Sequence, residues 1–299
     1  MSGLPETLRV ELEGLLESLG DASPIQSARP VGGGCINNGM RLQTQNETYF
    51  LKWNSDSLPG MFPAEAYGLS LLAQTHTVRV PAVLGLDDAP FQRPAFILLE
   101  WLDGPQPDQA ALGEQVAEMH RLGFSPRTPP AYGLDQDNYI GSTPQRNGWE
   151  EDWITFYCER RLRPQAELAR RNGRLPTGRR QRLELLMERL DRWLGGVERR
   201  PSLLHGDLWG GNVIAGPRGG ALIDPAVYYG DREADLAFTE LFGGFSSRFY
   251  QAYQAVWPLE PGYRERRDLY NLYHLLNHLN LFGESYGGEV DSVLRWYVS

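Results

Sequence analysis

Three oxygen-bearing side chains fall in one short stretch. Asp207 and Asn212 lie five residues apart in Leu204-His-Gly-Asp-Leu-Trp-Gly-Gly-Asn212, and Asp224 follows in Ala221-Leu-Ile-Asp-Pro225. Two carboxylates and an amide are hard oxygen donors suited to Mg²⁺. A second feature is a count. Of 29 basic side chains, Lys52 is the only lysine. Arginine can replace lysine on most surfaces, but not where a compact ammonium must act as a point charge. Lys52 is read as a phosphate ligand, set against chance survival in an arginine-rich background. The chemistry these residues suit is the handling of a phosphate beside a divalent cation.

Protein kinases carry the same order: a catalytic-loop Asp, an Asn five residues on, then a metal-binding Asp. In that order Asp207 is the catalytic carboxylate, while Asn212 and Asp224 complete the catalytic set and hold the metal. His-Gly-Asp stands where protein kinases have His-Arg-Asp, which points to a small-molecule kinase without activation-loop control. No Ala-Pro-Glu follows Asp224. Upstream, Gly32, Gly33 and Gly34 with Cys35 form a glycine-rich turn whose N–H groups could approach phosphates. Asn37 replaces the third glycine of a strict G-x-G-x-x-G, so a plain hairpin turn is the other reading. Glu65 opens the helix after Lys52 and either pairs with it or is an acid favoured by the helix dipole. Glu100, Trp101 and Leu102 end a strand where a hinge would bind adenine through its backbone.

The elements that must position these groups divide in two. Leucines at helical spacing over 4–19 predict a first helix. Strands are predicted at 25–31, 40–44, 48–53, 81–86 and 95–102, with a helix from Pro63 to about Ala73. Asp103-Gly-Pro-Gln-Pro107 breaks the pattern. Beyond it, helices are expected at 108–122, 150–172, 177–195, 233–242, 246–256, 264–283 and 289–298, with a long ordered loop over 123–149. The fold class is therefore α+β: a bilobal, protein-kinase-like chain. Residues 1–102 form a strand-rich, nucleotide-binding N-lobe, and residues 103–299 a mainly helical lobe for catalysis and substrate. Residues 160–200 are rich in arginine and read as a solvated helix face, or else as a docking patch for an acidic partner.

With these residues in place, the chain resembles the fructosamine kinase (ketosamine-3-kinase) family, within the aminoglycoside and choline kinase-like group. The resemblance rests on Gly32-Gly-Gly-Cys-Ile-Asn37, Asp137-Asn-Tyr-Ile-Gly-Ser-Thr-Pro-Gln145, Asn147 with Trp149, and Asp152-Trp153. It rests also on Arg161-Leu-Arg-Pro-Gln165, the 205–212 turn and Tyr229-Gly-Asp-Arg-Glu-Ala-Asp-Leu-Ala237. It implies phosphorylation of a ketosamine at the sugar 3-hydroxyl with ATP and Mg²⁺, after which the unstable phosphate leaves and frees the amine. Trp209 is then read as a ring that stacks on the sugar, or as a core aromatic. Asp231, Glu233 and Asp235 could face the substrate's cationic amine, or cap and start the next helix. The resemblance also marks Cys35 as redox-sensitive, with a homodimer joined through it, whereas Cys158 on a helix is expected to be inert.

Composition limits the alternatives. A net charge of −9 argues against binding nucleic acid through global charge. Two cysteines are too few for a disulfide framework, and no run is long and apolar enough for a signal or a membrane span, so the cytoplasm is the expected location. Two further readings stay open: a kinase for another amine-bearing small molecule, such as an aminoglycoside or choline, and a nucleotide-binding pseudokinase. The second would be expected to lack Lys52, Asp207, Asn212 or Asp224, and all four are present.

Overall fold

A computed structural model of the chain describes residues 4–32, 36–88, 93–217 and 219–298. Helix α1 (Glu6–Ser18) turns Leu8, Leu12 and Leu16 to one side. That side covers a sheet built from β1 (Ser27–Pro30), β2 (Asn38–Gln43), β3 (Thr48–Asn54), β4 (Val83–Asp87) and β5 (Ala95–Glu100). The strands are antiparallel in the order β1-β2-β3-β5-β4. Successive side chains of a strand leave opposite faces. Leu51 therefore joins Met40, Leu42, Phe96 and Leu98 beneath α1. Its neighbour Lys52 emerges on the other face, toward α2 (Met61–Gln74). Helix α2 begins two residues before the expected Pro63, after Gly60 in a left-handed conformation (φ 77°). Glu65 thus lies beyond the first turn, where the helix dipole no longer accounts for it.

Past Glu100 an extended segment leads to α3 (Gln109–Leu122), whose start is capped by the Asp108 carboxylate accepting from Ala110 N at 3.0 Å. The 123–149 stretch is not all loop. It contains a hairpin, β6 (Asn138–Ile140) and β7 (Thr143–Gln145). These strands are three residues each, include Pro144 and bury polar side chains, so they carry none of the apolar alternation that marks a strand. Helix α4 (Trp153–Phe156) runs through a π-helical segment (Tyr157–Leu162) into α5 (Arg163–Arg171). The single helix expected over 177–195 breaks at Arg189 into α6 (Thr177–Glu188) and α7 (Leu190–Leu194). Short strands β8 (Ser202–Leu204), β9 (Val213–Ile214), β10 (Ala221–Leu222) and β11 (Tyr228–Gly230) follow. The chain ends with α8 (Glu233–Leu241), α9 (Ser247–Val256), α10 (Tyr263–Phe282) and α11 (Gly287–Val298).

The larger apolar core does not stop at residue 102. Phe62, Leu69 and Leu72 of α2 and Ile97 and Leu99 of β5 share it with Leu204, Leu222 and Val227. A backbone bond from Leu222 N to Arg79 O (2.8 Å) joins the two parts two residues before Asp224. Nor are the arginines of 160–200 one solvated face. Arg161 and Arg179 are buried, Arg179 between Glu284 (2.7 Å) and Asp291 (2.9 Å), while Arg163 pairs with Glu159 on the surface. Among the described residues no helix is long and apolar enough to cross a membrane.

Candidate active site

The 205–207 turn is held from below. Asp235, on α8, accepts from His205 N (2.7 Å), Gly206 N (2.9 Å) and His120 Nε2 (3.1 Å). Burial would raise this carboxylate, but the His120 hydrogen bond, two nearby imidazoles and the Gly206 N–H hold it below the usual range. His205 is buried, which depresses its pKa and keeps it neutral. Its Nδ1 accepts from Asp207 N at 3.3 Å, so the proton sits on Nε2, which donates to Ile223 O at 3.0 Å. Gly206 has φ 79°, and a Cβ there would stand 2.0 Å from Ala226 O. The backbone itself therefore excludes the arginine found at this place in protein kinases.

Two clusters meet on this turn. Lys52 Nζ lies 2.6 Å from Glu65 Oε1 and also contacts Asp224 Oδ1. Burial pushes the lysine down, and the two carboxylates more than offset it, leaving the ammonium firmly charged. Burial lifts Glu65 above the carboxylate range, against the pull of Lys52. Asp224 adopts φ 57°, a left-handed conformation that Asp tolerates better than most residues. Asn212 Nδ2 donates to Asp207 O (2.8 Å) and Asp207 Oδ2 (2.9 Å). Burial pushes Asp207 up to about 7, opposed by the Asn212 hydrogen bond and reinforced by the Asp224 charge.

The donor set suits Mg²⁺. Because the Asn212 amide nitrogen is committed to Asp207, its carbonyl oxygen is left for a cation. Asp224, whose side chain is 38% exposed, binds Lys52 through one oxygen only. Among the described residues no three His, Cys, Asp or Glu side chains converge as a closed metal cage. Mg²⁺ at a phosphate site uses one or two protein ligands and fills its shell with water and phosphate.

The remaining sequence candidates fare differently. Trp209 is half-buried and lies over Gly211, where a Cβ would meet its ring at 2.2 Å, so it is no core aromatic. Glu100 ends β5 and ties its carboxylate to Arg79 and to Ala82 N (3.1 Å), while Trp101 lies beside Phe50 and beneath Arg41. Leu102 follows in the extended segment, and Gly32 is exposed. Gly33, Gly34 and Cys35, with the redox and dimer readings attached to Cys35, lie outside the described residues. Burial pushes the Cys158 thiol up to about 11, so it is a poor nucleophile at neutral pH. For Asp231 and Glu233 the substrate reading requires a correction, while the helix-start reading holds: α8 begins at Glu233, whose N–H donates to Asp231 Oδ1 at 3.0 Å. Asp231 accepts from Arg199 Nε and Tyr270 OH, both at 2.6 Å, and Glu233 forms a two-pronged pair with Arg266 (2.6 and 2.7 Å). Both are buried and already neutralised, so neither is available to a substrate amine. The third acid of that run, Asp235, is the brace under the 205–207 turn.

Comparison with known proteins decides the family. The sequence pattern of the family described as fructosamine kinase matches residues 11–299. The chain belongs to the fructosamine kinase family. It is 41% identical over 282 residues to a chloroplastic protein-ribulosamine 3-kinase of Arabidopsis thaliana, covering 93% of this chain and 85% of that one. It is also 41% identical to a probable ketoamine kinase of Synechocystis, covering 93% and 92%. A crystal structure assigned as a fructosamine-3-kinase, from Thermobifida fusca, superposes with a TM-score of 0.84 at 32% identity, covering 98% of each chain. An aminoglycoside phosphotransferase, APH(4)-Ia, shares the fold alone, with a TM-score of 0.61 at 16% identity over 97% and 98%. The fold is thus the expected α+β, protein-kinase-like one.

In this member of the family the 137–147 block serves as internal wiring, a role the sequence alone had not assigned. Gln145 Nε2 donates to Asn138 Oδ1 (2.8 Å) and Ala226 O (3.0 Å), and Asn138 Nδ2 donates to Val227 O (2.8 Å). Asn147 Nδ2 donates to Asn138 Oδ1 (2.8 Å), and Asn147 Oδ1 accepts from Arg161 Nη2 (2.8 Å). The Arg161 guanidinium is fully buried against Tyr228 (3.9 Å to the centroid) and Phe156 (4.6 Å). The network thereby grips Ala226 and Val227, just after Asp224, and Ala226 O is the atom that crowds Gly206.

Proposed function

We propose that the protein transfers the γ-phosphoryl group of ATP to the 3-hydroxyl of a ketosamine, and that loss of the phosphate then releases the amine. One observation carries this reading: Lys52, Glu65 and Asp224 form one cluster, and Asp207 and Asn212 form the other, on the same turn and its neighbouring strand. Lys52 holds the α and β phosphates as a point charge, fixed by Glu65. Asn212 and Asp224 hold Mg²⁺, which when bound neutralises charge on the phosphates. Asp207, held by Asn212, orients the sugar hydroxyl and takes its proton as the hydroxyl oxygen bonds to phosphorus and ADP leaves. Trp209, two residues on, offers a ring face to the sugar. Glu100 to Leu102 line the adenine side by their place at the end of β5. Membership of the fructosamine kinase family and 41% identity to a ribulosamine 3-kinase support a ketosamine over an aminoglycoside.

The test is ADP release with MgATP against ribulose-, erythrulose- and fructose-lysine, with ³¹P NMR to follow the sugar phosphate. Turnover on at least one, lowered a hundredfold or more by Asp207→Asn with nucleotide binding kept, is expected. ADP release no faster than without acceptor on all three overturns the reading.

A further inference from the structure

A cavity of about 250 Å³ opens between the start of α8, the end of α9 and the 197–200 segment that precedes β8. Lys52, Glu65, Asp207, Asn212 and Asp224 do not line it. Its volume is below the roughly 300–1,000 Å³ of a drug-sized pocket, so it suits a small molecule. Two of its acids are already matched. Asp231 pairs with Arg199 and Glu233 with Arg266, each at 2.6 Å, and all four side chains are buried.

Four other charged side chains line the same cavity. Arg232 is 6% exposed, yet no carboxylate is among its partners. It donates to Trp257 O (2.7 Å) and Pro258 O, and its guanidinium lies 3.9 Å over the Trp257 ring. A buried guanidinium is ordinarily matched by an anion. The exposed Arg200 has only the Arg121 carbonyl at 3.5 Å and the rings of Phe124 and Trp257. The exposed Glu198 and Glu260 have no ion pair among the described residues. Two cations and two anions thus surround one cavity, and none of them pairs with another.

Such a lining selects for charge of both signs. A carboxylate gains charge-assisted hydrogen bonds from the two guanidinium groups. A multiply charged anion such as phosphate gains them too, but it also faces Glu198 and Glu260, and like charges brought together cost affinity. A bare amine has the converse difficulty with Arg200 and Arg232. A molecule with one carboxylate and one ammonium answers both pairs, and Trp257 adds an apolar wall.

We propose that this cavity binds a free α-amino acid with an apolar side chain. Its carboxylate lies on Arg232 and Arg200, its ammonium toward Glu198 and Glu260, and its side chain against Trp257. The site is distinct from the one proposed for phosphoryl transfer and does not depend on that reading.

The experiment is isothermal titration calorimetry of the full chain with four probes: L-leucine, its two half-molecules 4-methylpentanoate and 3-methylbutylamine, and inorganic phosphate. Leucine should bind about tenfold more tightly than either half-molecule, the scale of one charged hydrogen bond. Arg200→Ala and the double variant Glu198→Gln/Glu260→Gln alter exposed positions and should keep the wild-type melting temperature. Each should weaken leucine by about the same factor. The double variant should hold 4-methylpentanoate at least as tightly as wild type does. Arg232→Gln should weaken leucine and 4-methylpentanoate alike, and if it melts early the exposed variants carry the test. Absence of leucine binding, or a leucine affinity unchanged in either exposed variant, overturns the assignment. So does phosphate that binds more tightly than leucine and is lost in Arg200→Ala, which would make the cavity a plain anion site.

Discussion

At the scale of single residues, environment decides which titratable group does what. Lys52 is buried, and its charge is tolerable only because Glu65 and Asp224 flank it. Lys52→Met removes the cation that pairs with Glu65 and Asp224, leaves the buried Glu65 carboxyl without its partner, and should cost roughly 3 kcal/mol in chemical denaturation. Adding Glu65→Gln should return most of that stability and none of the activity. A single variant as stable as wild type would refute the pairing. His274 is a second case. It is buried, stacked on Phe238 at 3.6 Å, and burial depresses it to about 3. The folded state resists protonation that the unfolded state accepts near 6.5, so stability is full above that pH. It should fall by about 1.4 kcal/mol per pH unit as pH drops toward 3. His274→Phe should flatten this part of the profile, measured as melting temperature between pH 7 and 4. Parallel curves for the two proteins would show that other groups set the acid limit.

At the scale of elements, the segment around Asp224 is only as ordered as the hairpin that grips it. The β6–β7 hairpin and the π-helical segment share no sequence proximity with Asp224, yet Gln145 and Asn138 bond the carbonyls of Ala226 and Val227. Arg161→Met strips Asn147 Oδ1 and Arg146 O of a charged donor, a loss of about 2–3 kcal/mol. Melting should fall by several degrees, and kcat should drop more than KM for ATP rises, because the turn around Asp224 and Gly206 loosens. Arg161→Lys keeps the charge without the fork and should rescue neither. Unchanged melting and kcat in Arg161→Met would leave the network without a role.

At the scale of the whole molecule, the site is shared. Lys52 comes from the sheet, Glu65 from α2, and Asp207, Asn212 and Asp224 from the segment around β8–β10. A ligand that bridges them should stabilise the whole chain. A non-hydrolysable ATP analogue with Mg²⁺, at a hundred times its Kd, adds about 2.7 kcal/mol. Differential scanning fluorimetry should register a rise of several degrees, reduced by EDTA. In Asp224→Ala the EDTA-sensitive part should vanish, and its persistence would place the metal elsewhere.

The sequence by itself pointed to the candidate reacting groups and to the α+β, protein-kinase-like fold. Asp207, Asn212, Asp224 and Lys52 were legible as candidates because their types, spacing and order are those that a phosphate and Mg²⁺ would require, and the fold brings them together. The main helices were legible because apolar spacing is local. Only the tertiary structure decided the supports. Asp231 and Glu233 look like free acids until Arg199 and Arg266, 32 and 33 residues away, are folded onto them. Asp235 becomes the brace of the 205–207 turn only because the fold brings α8 to the His205 and Gly206 N–H groups. The β6–β7 hairpin has no apolar alternation, since its side chains bond carbonyls some 80 residues further on. In each case the partner is distant in sequence, and burial assigns the role through the cost of leaving a charge or amide unpaired.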